Sequence, residues 1–240
     1  MRVAIVSDIH GNRRALDAVL VDLRQVAPDL VVQGGDLAAG GTHPADIIDQ
    51  VRSLGWPGVC GNVDEMLWAP ESLKTFAATM PQLASVLAKS AEMIPSIVAA
   101  LGEDRLRWME ALPRSYVHEE FALVHASPGD LWRSPGPHAG DGELRATYAP
   151  MDARLVVYGH IHFPYVRRLP EMTVANTGSV SQSYDGDTRA SYLLIDGENV
   201  TIRRVEYDVQ SEADELSRSG LPYGGWMARM LLAGKYCPPD

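Results

Sequence analysis

Seven side chains able to hold a metal stand in five short patches of the chain. Asp8 and His10 lie in SDIHGN, Asp36 in GGD, Asn62 in CGN, His125 in FALVH, and His160 and His162 in GHIH. All offer oxygen or imidazole nitrogen and none a thiolate, which suits Mn, Fe, Zn, Ni or Co over a softer ion. Singly, each patch says little. DxH is more often a turn or cap than a ligand pair, GD and GN are common turn dipeptides, and a lone His125 would more often be a satisfied core histidine. The joint pattern carries the argument, because every patch directly follows an apolar stretch that reads as a strand. In an open α/β sheet, sites form outside the carboxyl ends of the strands. Seven residues scattered along the chain are therefore expected to meet on one edge.

The elements that must position them are legible in outline. Val3 to Val6 is a β-branched apolar run, as in a strand buried on both faces. A helix from about Asn12 to Val26 follows, with Leu16, Val19, Leu20 and Leu23 on one face. Leu30 to Val32 reads as a second strand. Pro44 opens a helix that Gly55 ends, and Pro57 to Cys60 reads as a short third strand. This β-α-β-α-β order predicts a parallel sheet with right-handed crossovers. From Glu65 to about Leu112 the pattern is helical, with breaks at Pro70, Pro81, Pro95 and Pro113. Short strands follow at 116–118, 121–124, 155–158, 165–169, 173–176, 192–195 and 200–205, the last two joined by a turn at Gly197. A Pro/Gly-rich loop covers 127–142, and loops of that length are often functional. No stretch reads as a linker. One domain over 1–240 is expected, with a helical insertion at about 65–112 and a helical tail at about 208–240.

The composition, 46% hydrophobic and 22% charged, supports a substantial core. No run of about 18 apolar residues is evident, so no membrane span is expected, and the five-residue apolar stretch near the start is too short for a signal peptide. Cys60 and Cys237 form neither a disulfide framework nor a CxxC pattern, which points to free thiols and a cytoplasmic setting. A net charge of −10 disfavours nucleic acid as a partner. Any phosphate that the chain binds is expected to meet a metal first.

Asp8-Ile9-His10, Gly35-Asp36, Gly61-Asn62, His125 and Gly159-His160-Ile161-His162 together resemble the motif set of the calcineurin-like metallophosphoesterases. SDIHGN and NTGSVSQSYDGD (176–187) are similar to the small prokaryotic branch related to diadenosine tetraphosphatase and the serine/threonine phosphatases. The resemblance runs from residue 1 to about 205. It implies an α/β fold, a four-layer α/β/β/α sandwich of two mixed sheets flanked by helices. It also implies two divalent metals, Mn foremost, one held by Asp8, His10 and His162, the other by Asn62, His125 and His160, with Asp36 bridging. Two metals about 4 Å apart hold a hydroxide for in-line attack and neutralise phosphoryl oxygens. With only two carboxylates, such a centre keeps a charge of about +1 and attracts phosphate. The histidines are expected to donate their second N–H to backbone or carboxylate groups.

One position departs from the pattern. Many members carry a His after Gly-Asn, held to protonate the leaving group, and here it is Val63. General acid catalysis is worth typically 10² to 10⁴ in rate, so poor alkoxide leaving groups should react slowly and phosphodiesters should be favoured. Asp64, which orients that His in the family, serves either the site, with Asp36 and Asn62 as catalytic candidates, or the helix N-terminus. His43, His138 and Arg13 lie where they could reach substrate but read more simply as exposed. Asn176, Gly178 and Ser179 are read as structural, and Trp132 and Tyr148 either stack on a base or pack the long loop. Three functions stay open: a phosphodiesterase acting on a small nucleotide or similar ester, a phosphomonoesterase acting on protein or nucleotide, and a catalytically weak metal-stabilised scaffold.

Overall fold

Strand β1 (Arg2–Val6) forms the buried spine of the first sheet in a computed structural model that describes residues 1–239. Helix α1 (Arg13–Val26) begins where the Asn12 side chain accepts from Ala15 N at 2.9 Å, a cap worth about 1 kcal/mol. It buries Ala15, Leu16, Val19 and Leu23 against the sheet. Strand β2 (Leu30–Gln33) pairs parallel to β1, and α2 (Pro44–Leu54) runs from a first-turn proline to Gly55.

The third strand expected at 57–60 does not form. Only Gly58 makes a bridge, to Gln33, and Cys60 N turns away to Pro113 O. Pro57 lacks the N–H a ladder needs, which leaves too few donors for a strand. The chain passes at once into the short α3 (Asn62–Glu65), then α4 (Pro70–Thr79) and the long α5 (Ala84–Glu110). Helix α5 continues through Pro95 and bends instead at Gly102, whose φ of 68° suits glycine. The most apolar 18-residue window within Pro81–Glu110 has a mean hydropathy of 1.4, which meets a membrane span's length and composition, as the core helix of a soluble protein also can. In the fold α5 sends Leu87, Met93, Ile97, Leu101 and Met109 into the core.

The second half supplies β3 (Ser115–Val117), β4 (Ala122–Val124), α6 (Asp141–Tyr148), β5 (Leu155–Tyr158), β6 (Tyr165–Arg168), β7 (Thr173–Asn176), β8 (Ala190–Asp196), β9 (Asn199–Val205), α7 (Val209–Arg218) and α8 (Gly224–Ala233). Helix α6, which starts at the end of the long loop, has no counterpart in the sequence reading, because it is short, contains Gly142 and buries only Leu144 and Tyr148.

One sheet has the order β2-β1-β8-β9 and the other β3-β4-β5-β7-β6. Both are mixed. In the first, β8 pairs antiparallel to β1 and β9; in the second, β4, β5 and β7 are parallel and both edge strands are antiparallel. Val3, Ile5 and Val32 face Leu123, Val157 and Ala175 across the gap between them. Each such side chain contributes about 1.5–3 kcal/mol on burial. The opposite face of the first sheet (Ala4, Val6, Tyr192) packs on α1, α2, α5, α7 and α8, and that of the second (Val124, Tyr158, Val174) on α6. The result is the expected four-layer α/β/β/α arrangement. It turns the ends of β1, β2, β4 and β5 toward one edge.

Candidate metal centre

At that edge the loops after β1 and β2 zip together. Asp8 N donates to Gly35 O, His10 N to Asp36 O and Gly11 N to Leu37 O, at 2.8–3.0 Å. The pairing forces an unusual backbone. Asp8, His10, Asp36, His160 and His162 all have φ between 49° and 67°. Only Ala27 and Asp152 share this among the described non-glycine residues. Left-handed backbone is uncommon outside glycine, though Asp and His tolerate it better than most, and each instance costs of order 1–3 kcal/mol. Five of the seven predicted ligands thus sit in conformations that the surrounding hydrogen bonds must hold.

The first group converges tightly. Ligand atoms of Asp8, His10, Asp36 and His162 all lie within 4.8 Å of one another, and all four residues are buried. His162 Nε2 is 3.1 Å from Asp8 Oδ1 and 3.1 Å from His10 Nε2. Asn62, His125 and His160 form the second group. Asn62 Oδ1 is 2.9 Å from both His125 Nε2 and His160 Nδ1. Asp36 reaches both groups, with Oδ2 3.8 Å from His10 Nε2 and 3.3 Å from His125 Nε2.

This arrangement fits cations. His10, His125 and His162 each direct Nδ1 at a backbone carbonyl, of Ala39, Gly34 and Gln182, at 2.6–2.8 Å. A carbonyl only accepts, so each Nδ1 carries a proton and Nε2 is the ring nitrogen left to meet a cation. His10 and His162 then aim two lone pairs at each other beside two carboxylates. A single shared proton would satisfy one pair; a cation satisfies all four acceptors.

The electrostatics agree. Burial opposes ionisation of Asp36, yet the His125 charge and hydrogen bond hold its carboxyl below the usual range. Burial likewise opposes charge on His125, but Asp36 outweighs it and pushes the imidazole up to about 10. Burial and the neighbouring His125 charge push His160 down to about 4, which keeps its lone pair free. His125 and Asp36, 3.3 Å apart, would give up the proton they share on holding a cation.

Small residues brace the carboxylates. A side chain at Gly61 would collide with Asp36, and one at Gly159 with Asp8 and Ser7. Ser7 Oγ donates to Asp8 Oδ2 at 2.6 Å, and Ser179 Oγ donates to Asp8 O at 2.8 Å. Asn176 Nδ2 donates to Gly159 O, so the 176–179 stretch does frame the site.

Other candidates take different places. Asp64 is fully buried, and its carboxylate accepts from the backbone N–H groups of Leu37, Ala38 and Gly61. Burial and the Asp36 charge push it up to about 7. It ties the Asp36 loop to the Asn62 loop and so positions both candidate ligands. Val63 lines the cavity above the metal residues, and its N–H donates to Asp36 Oδ1 at 2.9 Å. Arg13 pairs with Asp17 and Asp46, and His43 with Asp46 and Glu215, away from the cavity. His138 packs edge-on to Phe163, and Tyr148 is buried against Tyr158. Trp132 stacks on Phe76 at the cavity wall. Tyr184, which the sequence reading passed over, stacks on His162 with ring centres 4.6 Å apart. It lies inside SQSYDG, where nothing in spacing marks it as a neighbour of residue 162.

Five of the candidate ligands, His10, Asp36, Asn62, His160 and His162, line a cavity of about 590 Å³. Its other walls come from α4, α5, the 132–134 loop and α8, with Phe76, Leu87, Met93, Trp226 and Met230 among them.

Comparisons with known proteins agree with this architecture. The family model described as the calcineurin-like phosphoesterase superfamily domain matches residues 1–199. The chain is 26% identical to an uncharacterized protein of Methanocaldococcus jannaschii, over 97% of this chain and 98% of that one. A crystal structure of a metallophosphoesterase from Sphaerobacter thermophilus shares 26% identity and a TM-score of 0.77, covering 98% of this chain and 100% of the other. A hypothetical protein from Pyrococcus horikoshii OT3 shares the fold at 17% identity and a TM-score of 0.85, covering 98% and 99%. The likeness therefore extends beyond residue 199 into the C-terminal helices. With its motif residues gathered at one sheet edge and the family match spanning β1 through β8, the chain belongs to the calcineurin-like phosphoesterase superfamily.

Proposed function

We propose that this protein is a dinuclear metal-dependent phosphoesterase that prefers phosphodiesters. One observation carries the reading: Asp36 Oδ2 stands between two groups of converging acceptors, 3.8 Å from His10 Nε2 and 3.3 Å from His125 Nε2. Asp8, His10 and His162 would hold one cation, Asn62, His125 and His160 the other, and Asp36 both. Such a pair of cations, Mn foremost, supplies positive charge for the phosphoryl oxygens and makes water a better nucleophile near neutral pH.

The chain's own residues set the remaining conditions. The backbone carbonyls that fix three imidazoles orient the donors before any metal arrives. Asn62 is neutral, so the loaded centre stays positive and favours an anion. Val63 presents an aliphatic side chain where a proton donor would assist a leaving alkoxide, and no other imidazole beyond the ligands lines the cavity among the described residues. Esters with stable leaving groups, and diesters over monoesters, suit such a site. The two free thiols, one buried at Cys60, accord with a cytoplasmic home, and the acidic chain with a small ester rather than nucleic acid.

The test is direct. Protein stripped of metal and reloaded with Mn is assayed on bis-p-nitrophenyl phosphate and on p-nitrophenyl phosphate. The diester should turn over faster. Preference for the monoester sinks the diester assignment, and no turnover of either with any divalent metal sinks the enzyme.

A further inference from the structure

Away from the candidate metal residues, the cavity is lined mostly by apolar side chains. Building on the phosphoesterase reading, we propose that it receives the long aliphatic chain of an amphiphilic phosphate ester, with the phosphate at the metal residues and the chain against α4, α5 and α8.

Four observations carry this. The first is continuity, because one cavity of about 590 Å³ is lined both by His10, Asp36 and His160 and by the helical wall. Its size is in the range that encloses a small ligand. The second is the wall's chemistry. Met80, Met93, Met227 and Met230 line it together with Leu83 and Val86. Methionine is flexible and polarizable, and it moulds to a chain that has no fixed shape. The third concerns charge. Apart from histidines, Arg133 is the one cationic residue among the lining residues. Its guanidinium is already engaged by Asp130 and Thr79 and lies 5.3 Å from the centre of the Phe76 ring. A polyphosphate needs several such donors beyond the metals, and this cavity does not supply them.

The fourth concerns stacking. A nucleobase wants an open aromatic face and hydrogen-bonding groups for its edge. Trp132 is stacked on Phe76, Tyr184 is stacked on His162, and Trp226 donates its N–H to Cys237 O. Ser90 Oγ donates to Val86 O within its own helix. Most of the aromatic and polar groups are thus committed, buried Ser134 Oγ being an exception, whereas Met80, Leu83 and Val86 are only partly covered. Only 17% of the most apolar window of Pro81–Glu110 is buried, and Leu83 and Val86 stand there at the cavity.

Calorimetric binding of non-hydrolysable alkylphosphonates with four, six, eight and ten carbons to the Mn-loaded protein tests this. Each methylene that enters an apolar site tightens binding about threefold to fourfold. The dissociation constant should therefore fall steeply with chain length and level off once the cavity is filled. Octylphosphonate should bind more tightly than adenosine diphosphate. Val86→Lys should flatten the chain-length dependence, with Mn stoichiometry and circular dichroism as the controls for folding. Met80→Gln, at a partly exposed position, is the gentler second variant and should weaken the dependence by a smaller factor. A flat dependence in the parent protein, or tighter binding of adenosine diphosphate, overturns the proposal. If bis-p-nitrophenyl phosphate is still hydrolysed in that case, only the substrate class has failed. If chain-length dependence holds but no ester is hydrolysed, the enzyme reading has failed and the aliphatic site stands.

Discussion

The floor and the wall of the cavity are built by opposite rules. On the floor, side chains at strand ends are held by strained backbone and by several hydrogen bonds each, and a methyl group at Gly61 or Gly159 has no room. On the wall, helices contribute methionine, leucine and valine with few directional contacts. A floor of this kind fixes one geometry, which metal chemistry demands within a fraction of an ångström. A wall of this kind is shape-tolerant, and its residues can change without rebuilding the centre. On the proposed function, the reaction and the choice of what reacts would belong to separate parts of the cavity.

That contrast can be broken, most severely at Asp36. Asp36→Asn removes the charge shared by both groups, so activity should fall at least about 10³-fold and bound metal should drop below two per chain by elemental analysis. Retention of both metals and activity would mean that Asp36 is not shared. Asp64→Ala strips acceptors from three buried N–H groups and should cost about 2–3 kcal/mol in urea unfolding. Activity should fall with it, because the Asp36 and Asn62 loops lose their tie. An Asp64→Ala protein of parental stability would show that the floor does not depend on its braces. Val63→His restores a proton donor at the boundary of floor and wall, and should raise p-nitrophenyl phosphate turnover roughly tenfold. No change there would dismiss the account of the missing acid.

The smallest expected effect tests the tail that carries part of the wall. Glu215 on α7 is held down to about 2 by its hydrogen bond from Arg14, aided by Thr42 and His43. Its folded value lies below the ordinary 4.5, so its contribution is complete above that pH and is lost as pH falls toward 2. Because the side chain is 32% exposed, the contribution is about 1 kcal/mol. Glu215→Gln should be less stable than the parent by that amount at pH 6, and the two should converge near pH 2. Parallel stabilities across the range would leave α7 docked by its apolar face alone.

How much of this was legible in the sequence follows the same division. Strand-end motifs are readable because strand period, turn chemistry and ligand type coincide over a few residues, as in Asp8-Ile9-His10. The layered fold came with the family resemblance. What escaped depends on contacts across long separations. Pro57–Cys60 has strand-like residues but too few donors in the right places. Helix α6 was too short and too glycine-rich to show a period. Asp64 looked like a site acid because its partners, the N–H groups of Leu37 and Ala38, belong to another loop. Arg13, which reads more simply as exposed than as a phosphate clamp, pairs with Asp17 one turn along. The wall was not readable at all, since Phe76, Met93 and Trp226 meet only after three separate helices have docked.

The pairing of β1 with β8 has a temporal consequence. Val3 lies opposite Ile195, so the central partnership of the first sheet joins the two ends of the family-matched region. On the ribosome, β1 emerges long before β8, its antiparallel neighbour, exists. Ser179, whose hydroxyl steadies the Asp8 backbone, arrives nearly as late. Contacts so distant along the polymer close slowly. Metal capture therefore reports the completion of folding rather than its start, and a nascent chain released early would leave the ribosome with ligands but no place for an ion.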